Sequence, residues 1–384
     1  MATLSTLSAC YWRLEKFSDS ISCMNLELQI AGNIHENASR TITPQTNIEQ
    51  NETFNFNRYR IYGNLASAYQ RLNNLNECLS NFQLQLGVAI SMNDSKLIIN
   101  TLNSIGLVYV RAKDYEHALE YFDKSLAIID QTKTDNVDAS ILKLLLKQYS
   151  LIGEAYLKLN NYEMARSYFE QQLEFSNKLF SESENDQLGN LDEYVLQEFI
   201  SLLNLALIES KTKNYRKSIE YNERCLESLQ SNSSFDLDHN NLSCIVRQQV
   251  LELFGRAYIG LVNGYLYVKD NLRAALFAHG MLDFTLKELA KVKSEKSFAK
   301  LENLRGNENS NTEHGELDKS QNEIELERHL LRRFKYLKFI EMSACSKLAQ
   351  CYIRQNRLVD AFKLHQREAA LANQLNNTLY STRA

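Results

Sequence analysis

The sequence predicts an all-α protein, a right-handed solenoid of about seven antiparallel helix-turn-helix repeats. Three observations carry that prediction. The chain of 384 residues holds one proline, Pro44, and only 12 glycines, so little in it stops helices. An apolar-small-x-x-Tyr stretch recurs along the chain in a fixed frame. Behind each copy a polar break and a second periodic segment follow at nearly constant spacing, the pattern of a repeated hairpin.

The first helix of each repeat shows in Leu7-Ser8 with Tyr11, Leu65-Ala66 with Tyr69, Ile105-Gly106 with Tyr109, Ile152-Gly153 with Tyr156, and Leu348-Ala349 with Tyr352. Leu205-Ala206 keeps the frame with Glu209 in place of the tyrosine. Groups three and four apart share one helix face, and the small residue lets another backbone approach. Breaks such as 72–74 and 112–114 then turn the chain. About six residues past the tyrosine the second helix brings Phe17, Leu75, Tyr115, Tyr162, Tyr215 or Leu358. Three further on stands a small residue: Ser20, Cys78, Ala118, Ala165, Ser218 or Ala361. Four more bring Met24, Phe82, Phe122, Phe169, Asn222 or His365, and this bulky column is expected to pack inward. A hairpin of this kind leaves its apolar face uncovered until a neighbour stacks on it. Residues 254–289 form a degenerate sixth repeat, with its break at 268–271 and Ala275 as the small residue.

This pattern resembles the tetratricopeptide repeat over most of the chain. Two features depart from the family. The proline that often closes its second helix is missing, and repeat starts lie 58, 40, 47 and 53 residues apart rather than about 34. Longer second helices account for both. Near the end, His365, Ala369, Ala372, Leu375 and Asn377, followed by Arg383 and Ala384, resemble the repeats of the Partner-of-Inscuteable/LGN adaptors and of the tetratricopeptide repeat protein 28 type. Asn377 stands where those repeats usually have Asp. Rapsyn-like scaffolds are a third relative. These resemblances imply a non-enzymatic adaptor or scaffold that holds partner peptides in a concave groove, in cytoskeletal, cortical or spindle organisation. The frame makes Ala384 the third residue of a further first helix. A longer parent protein, or homo-oligomeric assembly through an open C-terminal end, is the alternative expectation.

The expected organisation is a repeat array over 1–291 with a polar, Asn-rich insertion at 33–57, a charged disordered loop over 292–325, and a final repeat over 326–384 that starts another. The loop composition is too polar to offset its ordering entropy by burial.

Chemistry is mostly absent. The net charge of −4 gives no general attraction to nucleic acid. No apolar run approaches a membrane span, and the N-terminus lacks the basic and apolar regions of a signal peptide. Seven scattered cysteines without a CxxC pair suit reduced thiols in a cytoplasmic protein, Cys345 and Cys351 as core thiols among them. No phosphate loop, nucleophile elbow or paired-histidine motif is present, so no cofactor, metal ligand or catalytic residue is expected. Asn64 and Asn204 match isolated pieces of the family's carboxylate clamp, not the set. Trp12 suits either a groove anchor or ordinary packing.

One constellation remains. Two residues after each tyrosine-column position stands a cation: Arg13, Arg71, Arg111, Lys158, Lys211 and Arg354. In the resembling family, positions near the end of first helices face a bound peptide, so the ladder is the candidate groove for acidic partner segments. The competing reading is that a cation at a helix C-terminus complements the macrodipole, by about 0.3–1 kcal/mol, and needs no ligand.

Overall fold

In the computed structural model, residues 2–39, 44–132, 139–183, 191–231, 244–294 and 321–380 are described. Over them the chain forms fourteen α-helices and no strand. They pair as α1 (Ala2–Arg13) with α2 (Phe17–Ser39), α3 (Pro44–Arg71) with α4 (Leu75–Ser91), and α5 (Ser95–Arg111) with α6 (Tyr115–Thr132). Next come α7 (Ala139–Lys158) with α8 (Tyr162–Ser183), α9 (Leu191–Lys211) with α10 (Tyr215–Ser231), and α11 (Cys244–Tyr267) with α12 (Asn271–Ser294). The last pair is α13 (Gln321–Arg354) with α14 (Leu358–Tyr380). Seven helical hairpins in succession are the architecture of an α-solenoid. The chain divides into two compact units, 1–168 and 169–384.

The columns explain the pairing. Where the small residues of a hairpin's two helices meet, they touch closely. Ser20 Oγ donates to Ser8 O at 3.0 Å, and Ser218 Oγ donates to Ala206 O at 2.8 Å. At Gly106 an added Cβ would overlap the ring of Phe122, so the bulky column of α6 sits directly on the small column of α5. Met24, Phe82, Phe122, Phe169 and Asn222 are all buried.

His365 is a correction. It is exposed, and its Nδ1 lies 2.9 Å from Glu368 Oε2 on its own helix. A polar ring in the bulky column takes a surface ion contact because that face of α14 is uncovered among the described residues. In the sixth repeat, the turn places Ala274 in the small column, one residue before Ala275.

The segment 33–57 is not a break among its described residues. Residues 33–39 extend α2 and 44–57 open α3. Of the stretch 292–325, residues 292–294 close α12 and 321–325 open α13; the rest lies outside the described residues, as do Arg383 and Ala384.

The two units build their cores differently. In the first, buried clusters of five residues lie between successive helices: Ile21, Met24, Ile61, Leu65 and Ala68 join α2 to α3, for example. In the second, one continuous cluster runs from Leu196 to Leu371. Its centre is α11, which packs on α9, α10, α12 and α13. Such a helix must be apolar on nearly every side, which is why it fits the repeat columns poorly. Its close approaches fall at its own glycines. A Cβ at Gly255 would stand 2.7 Å from Tyr336 Oη, and one at Gly264 would stand 2.6 Å from Ile219 Cγ1.

Candidate binding surface

The cation ladder is placed by the turn that ends each first helix. Arg13, Arg71, Arg111, Lys158, Lys211 and Arg354 are the last residues of α1, α3, α5, α7, α9 and α13. Two residues beyond each, a non-glycine adopts positive φ: Glu15, Asn73, Lys113, Asn160, Lys213 and Asn356, at 57–67°. The next backbone N–H then returns to the tyrosine-column carbonyl, as from Asp114 to Tyr109 O and from Asn161 to Tyr156 O, both 2.9 Å. That is the Schellman cap. The residue that closes it also starts the second helix. Asn74 Oδ1 accepts from Glu77 N at 3.4 Å, and Asp270 Oδ1 accepts from Arg273 N at 3.1 Å. One residue therefore satisfies orphan groups of two helices.

All six ladder cations are exposed. They divide between the units, four in the first and two in the second. Their place at helix C-termini is where the macrodipole favours positive charge. Arg354 shows what such a cation does: its Nη1 donates to Leu266 O, 2.6 Å away in the last turn of α11. In the sixth repeat the corresponding residue is Tyr267, 59% exposed and stacked on Tyr215 at 4.5 Å.

The tyrosine column packs on the residue twelve positions on. Tyr109 stacks on Tyr121 at 5.5 Å, Tyr156 on Tyr168 at 5.8 Å, and Tyr265 on Phe277 at 5.5 Å. Burial, then the neighbouring Tyr121 and Asp114, raise the Tyr109 hydroxyl above its ordinary pKa. Trp12 is half-buried and meets Phe17 edge-on at 5.3 Å, so packing accounts for it. Glu209, which replaces the tyrosine, is buried, and its Oε2 accepts from Asn214 Nδ2 at 2.8 Å. The clamp-like asparagines separate: Asn64 is exposed, whereas Asn204 Oδ1 accepts from Arg256 Nη2 at 2.8 Å.

Four of the described thiols are buried, whereas Cys10 is exposed and Cys23 partly so. Burial pushes Cys78 up to about 11 and Cys225 up to about 12. Cys345 and Cys351 are buried as expected. Among the described residues no group of three or more His, Cys, Asp or Glu is disposed to hold a metal ion, and no helix is long and apolar enough to cross a membrane.

Sequence reading missed several features. A dense basic run surrounds the turn at 211–217, and its signal, Lys-Thr-Lys-Asn-Tyr-Arg-Lys, is visible in the chain. Ion pairs to buried carboxylates gave none. Arg60 Nη2 meets Glu27 Oε1 at 2.7 Å, and Glu341 meets both Lys338 at 2.9 Å and Arg367 at 2.6 Å.

The class these features define is an array of helical hairpins. Models of the tetratricopeptide repeat match three stretches, residues 57–131, 148–178 and 344–379. No curated protein matches the sequence. Among solved structures, aspartyl phosphate phosphatase F from Bacillus subtilis is similar at TM-score 0.49 and 11% identity, covering 95% of this chain and 92% of that one. BtubC from P. vanneervenii is similar at TM-score 0.46 and 14% identity, over 77% and 96%. The quorum sensor NprR from B. thuringiensis is similar at 0.43 and 14%, over 94% and 87%.

Proposed function

We propose that this chain is a non-enzymatic scaffold that binds partner peptides along its repeats, through acidic segments held by the ladder Arg13, Arg71, Arg111, Lys158, Lys211 and Arg354. The supporting observation is one cation, exposed and in identical register, at the end of six first helices. A helical repeat surface binds by many modest contacts, and aligned charges add on-rate and register to them. A cytoplasmic adaptor role in cytoskeletal or cortical organisation follows the resemblance of the tail to the Partner-of-Inscuteable/LGN repeats.

The test uses arrayed Glu- and Asp-rich peptides and a triple variant, Arg71→Glu, Arg111→Glu and Lys158→Glu. These three lie in one unit and are exposed. Binding by the natural chain should weaken as salt rises, because exposed charges are screened over about 8–10 Å near physiological ionic strength. The triple variant should keep its helical circular dichroism and lose the peptides. A folded triple variant that binds as before leaves only helix-end electrostatics for the ladder.

A further inference from the structure

The second unit carries a surface that the ladder does not explain. Its three hairpin turns form one continuous edge. Tyr215, opening α10, stacks on Tyr267 at the end of α11. Gln355 Nε2, in the turn before α14, donates to Asn271 O at 3.2 Å, and Arg354 Nη1 donates to Leu266 O. The turns at 211–217, 267–272 and 353–359 are thus fastened side by side.

Two kinds of side chain concentrate on this edge. Tyr267, Leu272, Leu276, Leu358, Val359 and Phe362 are each 59–78% exposed. Among the described large hydrophobics elsewhere, only Leu14 is as exposed. Beside them stand Lys211, Lys213, Arg216, Lys217 and Lys269, with no ion pair among the described residues. The edge carboxylates Asp270 and Asp360 are taken by Arg273 at 3.5 Å and Arg357 at 2.7 Å. A cleft of about 490 Å³ lined by Lys213, Asn214, Tyr215, Arg216, Lys217 and Val268 joins the cationic part to the apolar part.

We propose that this edge docks on an anionic lipid bilayer. The apolar residues are 59–78% exposed, and the cleft beside them is lined mostly by polar and cationic side chains, a poor receptor for a protein partner's apolar anchor. A bilayer needs no matching cavity: protruding aliphatic and aromatic groups enter the boundary between headgroups and acyl chains. Unpaired lysines and an arginine alongside supply the attraction to anionic headgroups, and the cleft receives a headgroup phosphate or carboxylate. The charge balance decides against a neutral membrane, because uncompensated cations gain nothing from zwitterionic lipid. The surface goes beyond peptide binding by the ladder and shares only Lys211 and Arg354 with it.

The experiment is co-sedimentation of the full chain with phosphatidylcholine vesicles, with and without about 30% phosphatidylserine, at ~0.1 M salt. Two variants accompany it: Lys213→Glu with Arg216→Glu and Lys217→Glu, and Leu272→Ser with Leu358→Ser and Phe362→Ser. All six positions are exposed, and circular dichroism checks that both variants fold. The natural chain should bind the anionic vesicles, bind phosphatidylcholine alone far less, and release as salt rises. Each variant should lose about tenfold or more of the binding. No sedimentation with anionic vesicles overturns the proposal, as does sedimentation that both variants retain. Binding of a polyglutamate probe to this edge without vesicle binding overturns it in favour of an acidic protein partner. None of these outcomes touches the Arg71, Arg111 and Lys158 test.

Discussion

The two units use the same turn and differ in how their cores connect. In residues 1–168 the apolar clusters are small and local, such as Ala66, Cys78, Phe82, Ile105 and Val108 across α3, α4 and α5. In residues 169–384 the buried side chains of α9 through α14 form one cluster around α11. Stability in a stacked repeat array is roughly a sum of repeat and nearest-neighbour terms. The first unit fits that description. In the second, α11 packs on α9 and α13 as well as on α10 and α12 within one continuous apolar cluster, so adjacent repeats share a core rather than meeting at separate small ones.

The comparison breaks most sharply at a single leucine in each unit. Leu261 on α11 and Leu65 on α3 are both buried. Truncation of either to Ala should cost about 2–5 kcal/mol. Hydrogen exchange should nevertheless tell them apart. Leu261→Ala should speed exchange through α9–α14, while Leu65→Ala should speed it mainly in α1–α4. Faster exchange confined to α11 in the first variant would mean that the continuous core is not a cooperative one.

Overpacking has the next largest effect. Gly106→Leu would drive its side chain into Phe122, and Ala165→Leu would fill a fully buried position on α8. Each should cost about 1–3 kcal/mol, read as a lower midpoint in denaturant. Unchanged midpoints in both variants would remove the physical meaning of the small column.

That column was legible in the sequence because it is local. A glycine or alanine three before a tyrosine reports on its own hairpin, and the turns at 72–74, 112–114 and 268–270 follow from polar breaks in a chain without other helix stops. Phe17, Leu75, Tyr115, Tyr162, Tyr215 and Leu358 each prove to be the first residue of a second helix. The ladder's position at helix ends was legible for the same reason. Three things were not. Residues 44–57 read as an irregular insertion because their mostly polar side chains leave no period, yet they open α3. His365 was placed inside because column position says nothing about whether a neighbour covers that face. The proposed docking edge depends on Tyr215, Tyr267 and Gln355, one from each of three turns, being brought together, which no single repeat records.

Smaller effects separate the units by pH. Burial alone would raise the Glu341 carboxyl in the second unit, but hydrogen bonds from Lys338 and Arg367 more than offset it and hold the carboxyl below its ordinary range. A depressed carboxyl contributes stability above its unfolded pKa of about 4.3, and that contribution is lost as pH falls through the folded value. In the first unit, His117 is raised by its hydrogen bond to Asp114, 2.7 Å away, and by that residue's charge. A raised imidazole contributes below its unfolded pKa of about 6.5 and loses the contribution as pH rises through the folded value. Acidification below about pH 4.5 should therefore weaken the second unit more in the natural chain than in Glu341→Gln. Alkalinisation from pH 6 to 8 should weaken the first slightly, and His117→Gln should abolish that slope. Parallel acid profiles for Glu341→Gln and the natural chain would show that the buried pair does not set the response.

The smallest expected effect tests what the units share. Lys113 and Lys269 hold φ of 63° and 64° at the same point of the Schellman turn, one in each unit. For a residue with a Cβ the left-handed conformation costs about 1–2 kcal/mol, which glycine avoids. Glycine also enlarges the unfolded ensemble, at roughly 0.5–1 kcal/mol. The balance should make Lys113→Gly and Lys269→Gly stabilising by about 0.5 kcal/mol each. Asn73→Gly, at φ 59°, should gain less, because Asn tolerates that conformation better than Lys. Paired denaturation of the two lysine variants is the measurement. Equal gains would establish that the turn is a local device indifferent to the core behind it. A gain at Lys113 with a loss at Lys269 would instead tie the second unit's turn to its edge, where Lys269 stands beside the exposed Tyr267 and Val268, and would carry the difference between the units out from the core to the surface.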